Sequence, residues 1–327
     1  MKTETAYKIV SYIKEHKQAT AKELASFLGV SPQALFRQLS ALLKNDQIYK
    51  VGKPPKVFYF EKEKVSSVVV GDFLLEDATR DFIEKNFLII TPTGERKEGL
   101  EGFIFWCQKT KQPVEKTALE YIQTWKKYNA FKKDGLIDGM EKMRATFPNV
   151  YLDKLFYLDF YSIERFGKTK IGQLLVYSKQ SQNKKLMAEL VMSVKTRIED
   201  VVKKYNIDGV GFVPPTVKRE VQFMKELERN LQMNVKKISI VKIKTDIAVP
   251  QKTLGKLEDR IENAQSSMIV DEQGLYKNIL LIDDAVGSGA TFNETAKQIK
   301  RKGICQGKIV GLAITGSFKG FDVVSEV

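Results

Sequence analysis

Histidine is nearly absent from this chain: 327 residues contain one, His16. That excludes histidine-based catalytic triads and metal sites with several histidines. Cysteine is almost as scarce. Cys107 and Cys305 cannot build a disulfide framework or a cysteine-rich zinc site, and they read as inert packing residues. No apolar run reaches the roughly 18 residues of a membrane span, so no membrane partner is expected. The opening Met1-Lys2-Thr3-Glu4-Thr5-Ala6 lacks the apolar segment of a signal peptide, and a cytoplasmic location is expected.

What the chain has in surplus is positive charge. Lys and Arg number 54 against 40 Asp and Glu, a formal net charge of +14. Such a balance suits an anionic partner, a nucleic acid or a nucleotide. Solvation is the plain alternative, and charge alone does not separate the two. At 43% hydrophobic and 29% charged, the composition is that of a soluble globular protein long enough for two or three domains.

Residues 1–62 carry a helix-turn-helix pattern. Ala6, Ile9, Val10, Tyr12 and Ile13 share one helical face. Thr20-Ala21-Lys22-Glu23 has capping-box spacing. Gly29 suits a left-handed helix end, and Ser31-Pro32 restarts a helix with a Ser cap and Pro at the first position. That third helix runs to about Lys44. It buries Leu35, Leu39, Leu42 and Leu43 and turns Gln33, Arg37, Gln38 and Ser40 outward. Two short strands follow, Ile48–Val51 and Lys56–Phe60, joined by Gly52-Lys53-Pro54-Pro55. The whole resembles a winged helix-turn-helix. Gln33 and Arg37 are the residue types that pair with base edges in a major groove. Lys50, Lys53 and Lys56 on the wing match phosphates. Residues 1–60 hold ten Lys or Arg and four Asp or Glu, a net of +6. DNA is therefore the expected partner of residues 1–62, with dimerisation or protein contact as the competing use.

Residues 63–150 read as a mostly helical connector. Glu61-Lys62-Glu63-Lys64 looks like a charged hinge, and Val68–Phe73 is an apolar run. A helix is expected around 81–85, a strand at Phe87–Ile90, and amphipathic helices at 99–110 and 114–146. Phe103, Phe105, Trp106, Tyr121, Trp125 and Tyr128 recur near helical spacing and are expected in a core. Lys126-Lys127 and Lys132-Lys133 read as solvated. No chemistry is visible there.

Residues 151–327 alternate strands with helices, which predicts a parallel sheet covered on both faces. Strands are expected at 157–161, 209–213, 238–243, 278–282 and 309–314, and helices at 183–204, 220–232 and 292–302. Residues 250–268 read as a polar loop. In such sheets ligands sit at the carboxyl ends of the strands, where the loops at 214–219, 283–291 and 315–319 would open.

The chemistry concentrates in Leu280-Leu281-Ile282-Asp283-Asp284-Ala285-Val286-Gly287-Ser288-Gly289-Ala290-Thr291. The amides of Gly287, Ser288, Gly289, Ala290 and Thr291 can surround a phosphate at a helix start, where the helix dipole favours an anion. Asp283 and Asp284 would repel that phosphate if they faced it. They suit a sugar diol, or a magnesium ion held through water. A phosphate and a diol together describe a ribose 5-phosphate. The Walker loop is excluded because no Lys follows Gly289, and the dinucleotide fingerprint because Phe292 stands at its third glycine.

These residues resemble the phosphoribosyl diphosphate (PRPP) motif of the type I phosphoribosyltransferase superfamily. Gln251, Leu254, Arg260 and Asn263, with Val213-Pro214-Pro215 and Lys218-Arg219, are most similar to its ComF-like group. The resemblance covers about 155–327. It implies a phosphate loop at 287–291, diol recognition by Asp283 and Asp284, a pyrophosphate loop near 214–219, and PRPP with Mg2+ as ligand. In a transfer reaction Lys218, Arg219 and Arg260 would stabilise departing pyrophosphate, and a mobile 250–263 segment, Lys252 and Lys256 included, would close over it. The chain departs from the group in lacking its cysteine-rich N-terminal segment. Gly287 also stands where purine-salvage members carry an Asp base, which argues against a purine acceptor.

Two functions follow. One is phosphoribosyl transfer with pyrophosphate release, localised or regulated by the winged helix. The other is a non-catalytic regulator that senses PRPP or a nucleotide, since purine-operon repressors join similar parts in this order. An effector of a phage-defence or competence system is a further alternative, and a homodimer is left open.

Overall fold

A computed structural model describes residues 2–45, 47–62, 73–215, 217, 219–243, 249 and 253–317, with backbone alone for Lys2, Thr3 and Lys53. The chain forms two compact units, Met1–Val69 and Val70–Val327. Among the described residues no helix is long and apolar enough to cross a membrane.

The first unit is a winged helix. Its elements are α1 (Lys2–His16), β1 (Ala19–Thr20), α2 (Ala21–Leu28), α3 (Pro32–Lys44), β2 (Ile48–Lys53) and β3 (Lys56–Glu61). The three strands form an antiparallel sheet in the order β1-β3-β2. The expected caps are formed. The Thr20 amide donates to Glu23 Oε2 at 2.6 Å while the Glu23 amide donates to Thr20 Oγ1 at 3.2 Å. The Ala34 amide donates to Ser31 Oγ at 3.3 Å, and Gly29 ends α2 at φ +60°. Ile9, Ile13, Leu24, Leu35, Leu39, Leu42, Ile48 and Tyr59 make one core. His16 stacks on Tyr12, ring centroids 4.0 Å apart.

The second unit opens with helices. These are α4 (Asp77–Asn86), the hairpin β4 (Leu88–Ile90) and β5 (Arg96–Glu98), α5 (Gly99–Lys109) and α6 (Val114–Asn129). Phe103, Tyr121, Trp125 and Tyr128 are buried, and Phe105 and Trp106 are half-buried. The aromatic stripe is core, as its spacing predicts. The single helix expected over 114–146 is instead four elements, α6 and three more. Asp134 and Gly135 both have positive φ and turn β6 (Lys132–Lys133) back onto β7 (Leu136–Asp138), the two-residue hairpin that an Asp-Gly pair favours. α7 (Met140–Thr146) follows. Lys132 is not solvated: it pairs with the buried Asp159 at 2.7 Å.

The remaining elements are β8 (Lys154–Phe160), the small hairpin β9 (Ser162–Ile163) and β10 (Gly167–Lys168), α8 (Lys170–Ser181), α9 (Lys184–Lys204), β11 (Gly209–Phe212), α10 (Phe223–Leu231), β12 (Lys236–Ile238), β13 (Ile240–Lys242), α11 (Leu257–Ser267), β14 (Met268–Val270), β15 (Ile279–Val286), α12 (Ala290–Lys302) and β16 (Ile309–Gly316). A seven-stranded sheet runs in the order β12-β11-β15-β16-β8-β7-β6. It is parallel from β12 to β8 and antiparallel at β7 and β6. One face packs on α8, α9 and α10 through Leu280, Ile282, Val310 and Leu312. α12 covers the other, where Phe292 lies against Gly311.

Three expectations for this part are revised. The strand expected over 238–243 splits: β12 joins the large sheet, and β13 pairs antiparallel with β14. The loop expected over 250–268 contains α11, whose buried positions are Arg260, Ala264 and Ser267. An arginine in a core-facing slot hides the helix from an apolar/polar count. α8 was not foreseen, although Thr169 caps it through the Gly172 amide at 3.0 Å and Ile171, Leu174 and Leu175 form its buried face.

Candidate functional site

β15 carries the site and runs further than its apolar stretch suggests, to Val286. The register places Phe212 beside Ile282, Ala285 beside Thr315 and Val286 beside Gly316. The carboxyl ends of β11, β15 and β16 therefore share one edge of the sheet.

Asp283 and Asp284 lie within the strand, and successive strand residues point to opposite faces. Asp284 follows Leu280 and Ile282 onto the side of α8. There its Oδ2 accepts from Lys179 Nζ at 2.5 Å, with both side chains about four-fifths buried. Asp283 points to the face of β13, where Lys242 is its charged neighbour. The Asp283 carboxyl is held well above the usual carboxylate range. Burial is the first cause and repulsion by Asp284 the second; the Asp284 amide, Lys179 and Lys242 work the other way. Burial likewise holds the Lys242 ammonium below its ordinary value, opposed by Asp283. Lys179 and Lys242 were not singled out in the sequence. Both became recognisable only once α8 and β13 were placed.

The loop beyond is shaped for close approach. Gly289 caps α12 at φ +84°, and a Cβ there would lie 2.3 Å from Met143 Sδ. α7 is thus the floor of the loop. The Ala290 amide donates to the buried Ser288 Oγ at 3.3 Å. Asn293 ties the first turn of α12 to 149–151: its Nδ2 donates to Asn149 O at 2.9 Å and its Oδ1 accepts from the Tyr151 amide at 2.8 Å. Thr291 lies in the first turn of the helix and its carbonyl accepts from Thr295 Oγ1 at 2.8 Å.

Of the expected leaving-group cations, Arg260 reaches the loop. It is 5% exposed, its Nε donates to Leu254 O at 2.8 Å, and its Nη1 lies 3.8 Å from where a Cβ on Gly287 would stand. Arg219 is half-buried after β11. Among the described residues its side chain makes no hydrogen bond or ion pair with 283–291. Lys218, Gln251 and Lys252 lie outside the described residues. Asn263 Nδ2 donates to Val249 O at 3.3 Å.

The two carboxylates face opposite sides of the sheet, and Asp284 is engaged by Lys179. Among the described residues no group of three or more His, Cys, Asp or Glu is placed to hold a metal ion. The cysteines stand apart from the chemistry: Cys107 is buried, which pushes its thiol up to about 12.

The first unit presents a second surface. Gln33 and Arg37 are exposed on α3, and Lys50 and Lys56 on the wing strands; the Lys53 side chain lies outside the described residues. Phe36 is 52% exposed on the same helix. Residues 2–54 match the MarR family. The match spans α1 to the tip of the wing, so the winged helix is supported both by its elements and by that likeness. Among curated proteins none matches the chain.

Proposed function

We propose that the chain is a DNA-binding regulator whose second unit binds a phosphorylated ribose, PRPP or a nucleotide, and that this ligand adjusts DNA binding. The observation that carries the DNA half is the MarR match laid over an α3 face bearing exposed Gln33 and Arg37. Arg and Gln read base edges bidentately, while Lys50, Lys53 and Lys56 balance phosphates. The ligand half rests on the 283–291 stretch. Glycine backbone at a helix start accepts a phosphate, and a carboxylate three to four residues upstream of Gly287 accepts hydrogen bonds from hydroxyls. Its resemblance to the type I phosphoribosyltransferase motif, ComF-like in its surroundings, supports the same ligand class.

Duplexes recovered by the full chain from a random library test the DNA half. Binding should fall steeply with salt. Arg37→Ala should remove about 1–3 kcal/mol of discrimination at one base position, and Lys56→Ala should lower the salt slope by about one. Equal binding by wild type and both variants would contradict the reading. For the ligand half, calorimetry with PRPP and with AMP should give saturable binding that Asp283→Ala abolishes.

A second reading is supported by Arg260 beside Gly287. In it an acceptor nucleophile attacks the ribose C1, the C1–O bond breaks, and pyrophosphate leaves with the bonding electrons, its charge met by Arg260 and Lys218. Pyrophosphate release with nucleobases, amines or water as acceptor would favour this reading. Binding without release under all of them would set it aside.

A further inference from the structure

The outward side of α3 is not wholly polar. Gln33, Phe36, Arg37 and Ser40 are all exposed. They stand at i, i+3, i+4 and i+7, so they share one side of the helix. Leu35, Leu39 and Leu42 take the other side into the core. Lys44, one turn beyond Ser40, is exposed as well, as are Lys50 and Lys56 on the wing strands. Residues 1–60 carry a net +6, which complements a polyanion. Among these polar and basic side chains the phenyl ring of Phe36 is 52% exposed. Phe27 is equally exposed, but its ring centroid lies 4.5 Å from that of Tyr12, so packing within the unit accounts for it. Phe36 has no such ring partner among the described residues. The major groove of DNA offers one apolar feature, the 5-methyl group of thymine, beside the donors and acceptors that Gln and Arg read. A phenyl ring gains from burying that methyl, and the amide of Gln33 and the guanidinium of Arg37 do not.

We propose that Phe36 reads the 5-methyl group of a thymine, within about two base pairs of the base contacted by Arg37. This rests on the DNA half of the reading above. The spacing follows from geometry. Phe36 and Arg37 are separated by about 1.5 Å along the helix axis and about 100° around it, while base pairs follow one another every 3.4 Å or so. The two side chains therefore reach neighbouring steps of the groove. Gln33 and Ser40 lie between them around the helix, so one side of α3 presents polar groups for base edges and an apolar group for a methyl.

The test uses a duplex recovered by the full chain from a random library, remade with uracil in place of each thymine in turn. Uracil keeps every hydrogen-bonding group of thymine and lacks only the methyl. Anisotropy at fixed salt should show wild type losing about fourfold in affinity, the scale of one buried methyl group, at one or more thymines in the stated range. Arg37→Ala locates that range, as the position whose base preference it relaxes. Phe36→Ala should bind the thymine and uracil duplexes alike. Phe36→Leu, which keeps an apolar side chain, should retain part of the preference, and Arg37→Ala should retain it in full. Wild type that tolerates uracil within twofold at every thymine overturns the proposal while the DNA reading stands. So does a selected site with no thymine in that range, or a preference for thymine that Phe36→Ala leaves unchanged. If no duplex is recovered, the DNA reading fails and the proposal fails with it.

Discussion

Leu39 and Arg37 stand two residues apart on α3 and do opposite work. Leu39 is 1% exposed in the winged-helix core, whereas Arg37 faces outward. Leu39→Ala should cost about 2–5 kcal/mol of stability in a thermal or urea melt, the usual penalty for a truncated core leucine. Arg37→Ala should leave that melt unchanged while weakening DNA binding. Both roles are legible in the sequence because helical spacing alone separates the two faces. The caps at Thr20 and Ser31 are legible for the same reason, since a cap is a local contract among four residues. Lys179 and Lys242 are not legible. Each matters through a carboxylate far away in the chain, and the chain holds 54 Lys and Arg from which to choose. Gly289 lies between these cases. Its place in the loop motif is visible, but the contact of Met143 beneath it is not. Gly289→Ala combines a φ of +84° with crowding against Met143 Sδ. It should lower stability by about 1–3 kcal/mol, measured by chemical denaturation.

At the scale of elements, the periodicity that predicts long helices and buried strands works well for α9, β15 and β16. It fails where a residue's role contradicts its polarity. α11 is hidden by the buried Arg260, and β6 by Lys132, which is half-buried against Trp125 and paired with Asp159. The parallel order of the sheet cannot be read from alternation alone, because the register is set by contacts between distant segments. One such contact is Asp208 at the start of β11. Its carboxylate accepts from the Lys277 and Asn278 amides, both at 2.9 Å, and so joins β11 to the start of β15. Burial, the largest single effect, raises its carboxyl, but the Lys277, Asn278 and Asp208 amides and the Lys277 charge together lower it from its ordinary value. A carboxylate whose folded value is depressed contributes stability above its unfolded value and loses it as pH falls through the folded one. Asp208→Asn should therefore cost about 1–2 kcal/mol at pH 7, on the scale of hydrogen bonds to a charged acceptor. The gap from wild type should narrow below about pH 4, where urea melts at both pH values would reveal it. A constant gap would show that the amide bonds do not depend on the charge.

At the scale of the whole molecule, the chain joins a MarR-like winged helix to a mixed α/β unit with a mostly parallel seven-stranded sheet. In the sequence a connector at 63–150 reads as separate from the α/β part, whereas Val70–Val327 form one unit whose sheet includes β6 and β7. Capping signals mark the first unit, and alternating strands and helices mark the second. The two surfaces proposed here serve one function only if they are coupled, and coupling is a free-energy difference that neither surface reveals alone. The most direct measurement is fluorescence anisotropy of a labelled duplex, selected by the full chain, titrated with protein at fixed salt with and without saturating PRPP or AMP. The account predicts that one of these ligands shifts the dissociation constant for DNA by about fivefold or more, and that Asp283→Ala removes the shift while leaving DNA binding intact. Superimposable isotherms, at ligand concentrations where calorimetry shows the site filled, would contradict it.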